Sequence, residues 1–171
     1  MKLIEAMKKI KDLQRKTADL RDKVQKNCAH LNIETPTYGD KQREQVNQWL
    51  QAHRDIVQEI AGLRTDIQRT NLATFVSIEL GDKQVTKTIA EWIHRRRDLA
   101  KEDMLAYQVL TDRNLQEGLM QDSFGNKTTV KIVRNYDPAD RDKMLEMFRS
   151  EPGKIDATLE VVNAVTDVIT L

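Results

Sequence analysis

The chain of 171 residues holds one cysteine, three prolines, six glycines and few aromatics, which make up 5% of it. A lone thiol, Cys28, excludes an internal disulfide framework and fits a reducing compartment. Scarce Gly, Pro and aromatic residues argue against sandwiches and barrels, which depend on many tight turns and β-rich strands. No hydrophobic run approaches a membrane span, and Met1-Lys2-Leu3-Ile4-Glu5 lacks the apolar stretch of a signal peptide. An excess of one charge is missing too. The 28 Lys and Arg face 27 Asp and Glu, a formal net charge of +1, so no global field favours a polyanion. The expected location is cytoplasmic, or a virion if the chain is phage-encoded.

Charge of both signs is abundant, at 32% of residues, and apolar residues recur among it at helical spacing. Leu3, Ala6, Ile10, Leu13, Thr17, Leu20, Val24, Asn27 and Leu31 follow at gaps of three and four. Val46, Trp49, His53, Ile56, Ile60, Leu63, Ile67 and Thr70 repeat the pattern. This spacing predicts two long helices folded into an antiparallel, coiled-coil-like hairpin over 1–71. Between them, Pro36 and Gly39 stop a helix, and Asp40 is placed to cap the next. Met7, Cys28, Leu50 and Val57 flank the seam and widen its apolar stripe, which favours packing on further helices of this chain or another copy.

Thr17, Asn27 and His53 stand in the seam where Leu or Ile would pack better. Folding about the loop is expected to bring Asn27, Cys28 and His53 to one level. A metal or proton-switch site is one reading. Polar residues that set register and partner number are the other, and it is preferred because one Cys and one His fall short of a ligand set. The first helix is also basic, with Lys8, Lys9 and Lys16 among its cations, but no aromatics interleave to stack bases.

Beyond the hairpin the period changes. Phe75-Val76-Ser77-Ile78-Glu79-Leu80 alternates as a strand, turns at Gly81-Asp82-Lys83 and can pair back through Gln84-Val85-Thr86, giving a β-hairpin over 72–86. Thr88-Ile89-Ala90-Glu91 is a capping box for a helix over 87–116, whose apolar side is Ile89, Trp92, Ile93, Leu99, Tyr107 and Leu110. That helix carries Arg95-Arg96-Arg97, which either grips phosphate or pairs with carboxylates such as Asp98, Glu102 and Asp103. A strand is expected over 124–135, able to complete a three-stranded sheet. Asp137-Pro138 starts a last helix over 137–168, kinked near Pro152. The fold class is therefore mainly α with a small β element: a long helical hairpin, two further helices and a two- or three-stranded antiparallel sheet, in one elongated domain over 1–171.

Several segments resemble a family of small, largely helical bacterial and phage proteins described as septicolysin-like. They are Met1-Lys2-Leu3-Ile4-Glu5-Ala6, Ile67-Gln68-Arg69-Thr70-Asn71, Val85-Thr86 with Arg96-Arg97-Asp98, and Ile155-Asp156-Ala157-Thr158-Leu159 with Asn163 and Thr166. The chain departs from that pattern at Ala164-Val165, where an aromatic is usual, and at Pro152-Gly153. The resemblance implies a largely helical fold. It brings no agreed function and no catalytic residues.

Function is read from what the residues offer. His30, His53 and His94 are widely spread, no Gly-rich phosphate loop occurs, and no nucleophile stands beside a base, so no enzyme, cofactor or metal is expected. The leading expectation is a non-enzymatic assembly protein that forms homo-oligomers. Its narrower form is a phage virion component at the head surface, neck or tail, in contact with other virion proteins. The alternative is a nucleic-acid or other polyanion-binding module using Lys8, Lys9, Lys16, Arg95, Arg96 and Arg97. A membrane-active, cytolysin-like role would rest on Val161–Ile169, which reads more simply as the core side of the last helix.

Overall fold

A computed structural model describes residues 1–170. Five α-helical segments and four short strands follow in the order α1 (Leu3–Asn27), α2 (Gln42–Ala73), β1 (Phe75–Leu80), β2 (Lys83–Thr88), α3 (Ile89–His94), α4 (Ala100–Gln108), β3 (Gly118–Gln121), β4 (Lys127–Val130) and α5 (Pro138–Val165). A π-helical turn, Arg95–Leu99, joins α3 to α4 without a break. The chain divides into two compact units, one of Met1–Phe75 with the chain from Leu159 onward, the other Val76–Thr158.

In the first unit α1 and α2 run antiparallel as the seam spacing predicts. Every seam position is buried or half-buried except Leu31, which is exposed because α1 ends at Asn27. Leu13, Ile60 and Leu63 form a cluster with Ile10 and Ile56 packed against it, while Leu3 and Ala6 are fully buried. Helix pairing is marked by the Lys9–Glu59 ion pair at 2.6 Å and by Gln42 Nε2, which donates to the Asn27 carbonyl at 3.0 Å. These contacts centre the turn well before Asp40. Asp40 lies inside a short 3₁₀ turn, Gly39–Lys41, and makes no cap; instead the Tyr38 N–H donates to Gln42 Oε1 at 3.0 Å. Gly39 sits at φ +54, a left-handed conformation that glycine adopts at little cost.

The two ends of the described chain are clasped in the same unit. The first N–H groups of a helix have no partner within it. The Leu3 N–H donates to the Thr166 carbonyl at 2.9 Å, and the Val168 N–H donates to the Met1 carbonyl at 2.8 Å. Lys2 Nζ reaches the Val165 carbonyl and Asp167, each at 2.8 Å. Fully buried Thr70 completes the clasp: its hydroxyl donates to the Asp66 carbonyl and accepts from the Ile169 N–H, both at 2.8 Å.

In the second unit β1 and β2 form a two-stranded sheet that turns at Gly81, φ +61. Val76 and Ile78 point inward from β1 and alternate with exposed neighbours, the expected half-buried strand. The Thr88 capping box forms as read from sequence: the Glu91 N–H donates to Thr88 Oγ1 at 3.2 Å and the Thr88 N–H to Glu91 Oε2 at 2.7 Å. The Thr88 N–H bond, and after it one from the Thr88 hydroxyl at 2.9 Å, also hold the Glu91 carboxyl below its ordinary pKa. Asp137 caps α5, accepting from the Ala139 N–H at 2.7 Å, with Pro138 in the first helical position.

Three expectations are corrected. The expected third strand does not join β1 and β2. Lys127–Val130 pairs instead with Gly118–Gln121 in a separate antiparallel sheet, with Gly118 opposite Val130 and Gln121 opposite Lys127. The helix expected over 87–116 ends at Gln108, and the chain then passes through left-handed Arg113 and Asn114, φ 53 and 58, a conformation no helix continues through. Leu99, expected in the apolar side, is 47% exposed. No correction is needed at Pro152: it lies within α5, a single helix there as the sequence reading has it.

Trp92 is fully buried, and its indole N–H donates to the Val76 carbonyl at 2.9 Å. Trp92→Phe removes that bond and part of the packing, so it is expected to destabilise by about 1–3 kcal/mol in urea unfolding.

Candidate functional site

The densest basic run of the chain coincides with its least regular helical turn. An α-helix advances about 100° per residue, so eight α-helical steps from buried Trp92 would leave Ala100 about 80° off the buried face. A π-turn absorbs one extra residue. The remaining seven steps come within about 20° of two full turns, and Ala100, 1% exposed, faces in while Leu99 faces out.

Within that turn Arg95 meets a buried acid. Glu151 is fully buried, and both of its oxygens are bound: Arg95 Nε donates to Oε1 at 2.5 Å and Nη2 to Oε2 at 3.0 Å. Arg95 Nη1 pairs with Asp103, and the guanidinium lies 5.6 Å from the centre of the Phe148 ring. Hydrogen bonds to Glu151, more than any other contact, raise the Arg95 pKa above its already high value, so the cation is permanent. Arg96 pairs with Asp156 at 2.5 Å, and Arg97 is exposed. Of the carboxylates expected near the run, Asp103 is a partner; Glu151 and Asp156 come from the last helix. Leu80, Val85, Lys87, His94 and Leu99 complete an open cleft of about 450 Å³ beside Arg95 and Glu151.

Sequence reasoning missed Glu151, yet its phase betrays it. It lies three residues after Phe148 and four before Ile155, on the buried stripe of α5. An acid on such a stripe implies a cation facing it.

The remaining candidates lie in the first unit. Lys9 is paired with Glu59, while Lys8 and Lys16 are exposed. Thr17 is 9% exposed and satisfies its hydroxyl on its own helix, donating to the Gln14 carbonyl at 2.7 Å. Asn27 bonds to the Lys23 carbonyl and accepts from Gln42. Asn27 and His53 are not level. With Asn27 opposite Gln42, His53 falls beside Leu20 and Val24 in a groove of about 190 Å³ that Leu50 also lines. Cys28 and His30 instead line an open cleft of about 720 Å³ at the hairpin loop, with Glu34, Asp40 and Arg43. Among the described residues no group of three or more His, Cys, Asp or Glu is placed to share a metal ion, and no helix is long and apolar enough to cross a membrane.

Fold and sites together define a mainly helical protein built on a long α-hairpin, with a buried ion pair in its second unit. The chain belongs to a family of unknown function, DUF6847, whose model matches residues 11–168. It is similar in structure to a functionally unknown conserved protein from Corynebacterium diphtheriae, at 20% identity over 99% of each chain and a TM-score of 0.56, a likeness of fold. No curated protein matches the sequence.

Removing one partner of a buried pair strands the other charge. Arg95→Met is expected to destabilise by about 3–5 kcal/mol, and adding Glu151→Leu to recover most of the loss in chemical denaturation. A second expectation concerns acid. Lys2 holds the Asp167 carboxyl below its ordinary value, so the clasp gains from this bond above the unfolded carboxyl pKa and loses it as pH falls through the lower folded one. Hydrogen-exchange protection of the Leu3 and Val168 amides should therefore drop below about pH 4, and in Asp167→Asn it should be weaker but flat with pH.

Proposed function

We propose that this chain is a non-enzymatic assembly protein that forms homo-oligomers through the loop half of its helical hairpin. The observation that carries the reading is a gradient of burial along one seam. Near the chain termini the seam is closed over Leu3, Ala6, Leu13, Ile60 and Leu63. Toward the loop, Leu20, Val24, Val46 and Trp49 are only half-buried, and flanking Leu50 and Val57 are 41% and 46% exposed. An apolar stripe covered on one side by a single helix is completed by further helices. Half-buried His53 sits in the open part of that stripe, where a polar seam residue selects register and partner number.

The polar side chains best placed for chemistry are engaged in structure. Glu151 has both oxygens on Arg95, and Arg95 has its fork filled by Glu151 and Asp103. The polyanion alternative is weakened by the same contacts, since Arg95, Arg96 and Lys9 are each held by a carboxylate. The narrower form of the proposal is a phage virion component. It is supported by the resemblance of Met1–Ala6, Thr70-Asn71 and Ile155–Leu159 to septicolysin-like proteins of bacteria and phages.

Light scattering after size exclusion at 5–50 µM, taken as roughly the range where modest interfaces associate, tests the reading. Wild type should run as a multiple of the chain mass. Leu50→Glu with Val57→Glu should lower that mass at least twofold without loss of helicity. A monomeric wild type overturns the proposal.

A further inference from the structure

The β3–β4 hairpin rises from the second unit as an arm without a packed face. Its strands pair with each other alone, and every strand residue is exposed except half-buried Val130. An isolated two-stranded hairpin is marginal in water, yet this one is fastened at both ends. At the base Arg134 grips Asp112 with two bonds of 2.7 Å, and Glu117 accepts from the Ile132 N–H at 2.9 Å. At the tip Asp122 Oδ1 accepts from the Phe124 and Asn126 N–H groups, both at 2.9 Å, and Gly125 takes φ +85 to close the turn. The arm is thus bonded at base and tip while its apolar side chains stand bare.

Those side chains are large and well exposed: Phe124 91%, Leu119 70% and Met120 63% on the arm, and Val133 81%, Val109 74% and Leu115 56% at its base. The two edges of the arm differ. The outer edge of β4 carries Lys127, with Lys131 just beyond it, the charge that guards an edge against pairing. The β3 edge, Gly118-Leu119-Met120-Gln121, has no charge and no proline.

We propose that the β3 edge pairs with β3 of a second copy, antiparallel about a two-fold axis, to make a four-stranded sheet in the order β4-β3-β3-β4. A two-fold axis through such a pair must pass through one residue and its own copy, here Leu119 or Met120. Either choice brings Phe124 at each tip within one residue of the level of Leu115 at the base of the other arm. There a groove of about 250 Å³ opens, lined by Val109, Leu115 and Val133. The exposed tip of one copy thus faces the exposed base of the other, twice over, and no carboxylate of one β3 edge is set against a carboxylate of the other. This rests on the assembly reading only in needing a second copy, and it uses a surface other than the α-hairpin.

Single cysteines test it in a Cys28→Ser background, because on-axis Cβ atoms of paired strands lie about 4.5–5.5 Å apart. Under mild oxidation Leu119→Cys or Met120→Cys should cross-link to a covalent dimer, while Thr129→Cys on β4 should not. Phe124→Asp should weaken self-association about tenfold or more with an unchanged circular dichroism spectrum, since the ring contributes little to the fold. Leu50→Glu with Val57→Glu should leave the cross-link intact. No cross-link at either β3 position, or association indifferent to Phe124→Asp, overturns the arm and leaves the hairpin proposal to its own variants. A wild type that does not associate at all overturns both.

Discussion

A carboxylate shut away from water must have a cation beside it, and Glu151 is the fully buried acid around which the second unit is arranged. Its partner Arg95 arrives on a turn that is one residue too long for an α-helix. Arg95 binds both carboxylate oxygens from the start of that turn, and the extra residue carries Ala100 to the buried face in place of Leu99. The same guanidinium lies over Phe148, whose ring packs at a tilt on Tyr107 with centroids 5.6 Å apart. Charge, ring stacking and helix phase are one constraint here.

The first unit depends on a different balance. Its helices are charged on the outside and apolar along one seam, so their stability comes from burying that seam rather than from helix propensity. Where the chain ends are clasped by Thr70, Lys2 and the Thr166 carbonyl, the seam is closed. Toward the loop the seam is open, and Leu50 and Val57 stay half in water. The arm shows the same economy of contact: firm hydrogen bonds at base and tip, bare apolar side chains between.

Much of this architecture is legible from residue spacing. Seam periodicity gives the antiparallel pair, alternation gives Phe75–Leu80 as a strand, and Thr88 with Glu91, like Asp137 with Pro138, marks where helices begin. Other features leave no local mark. Gly118-Leu119-Met120-Gln121 has no β-branched residue and opens on glycine, so nothing in its composition announces a strand. The position of the interhelical turn is equally silent, because several pairings keep the seam in phase and only packing selects the one that sets Asn27 against Gln42. The identity of Glu151 as a core residue could be suspected from its phase, but not its partner.

Short-range patterns along the chain determined which segments are helical, which residues face inward on α1 and α2, and where α3 and α5 start, because these depend on neighbours three or four positions away. Tertiary structure alone decided that Arg95 is bound by an acid 56 positions away, that Leu99 is turned out to solvent, and that Met1 and Leu3 meet Thr166 and Val168. Each of those outcomes joins groups far apart in sequence, and local preferences hold no information about which distant surface a buried charge or an open helix end will meet.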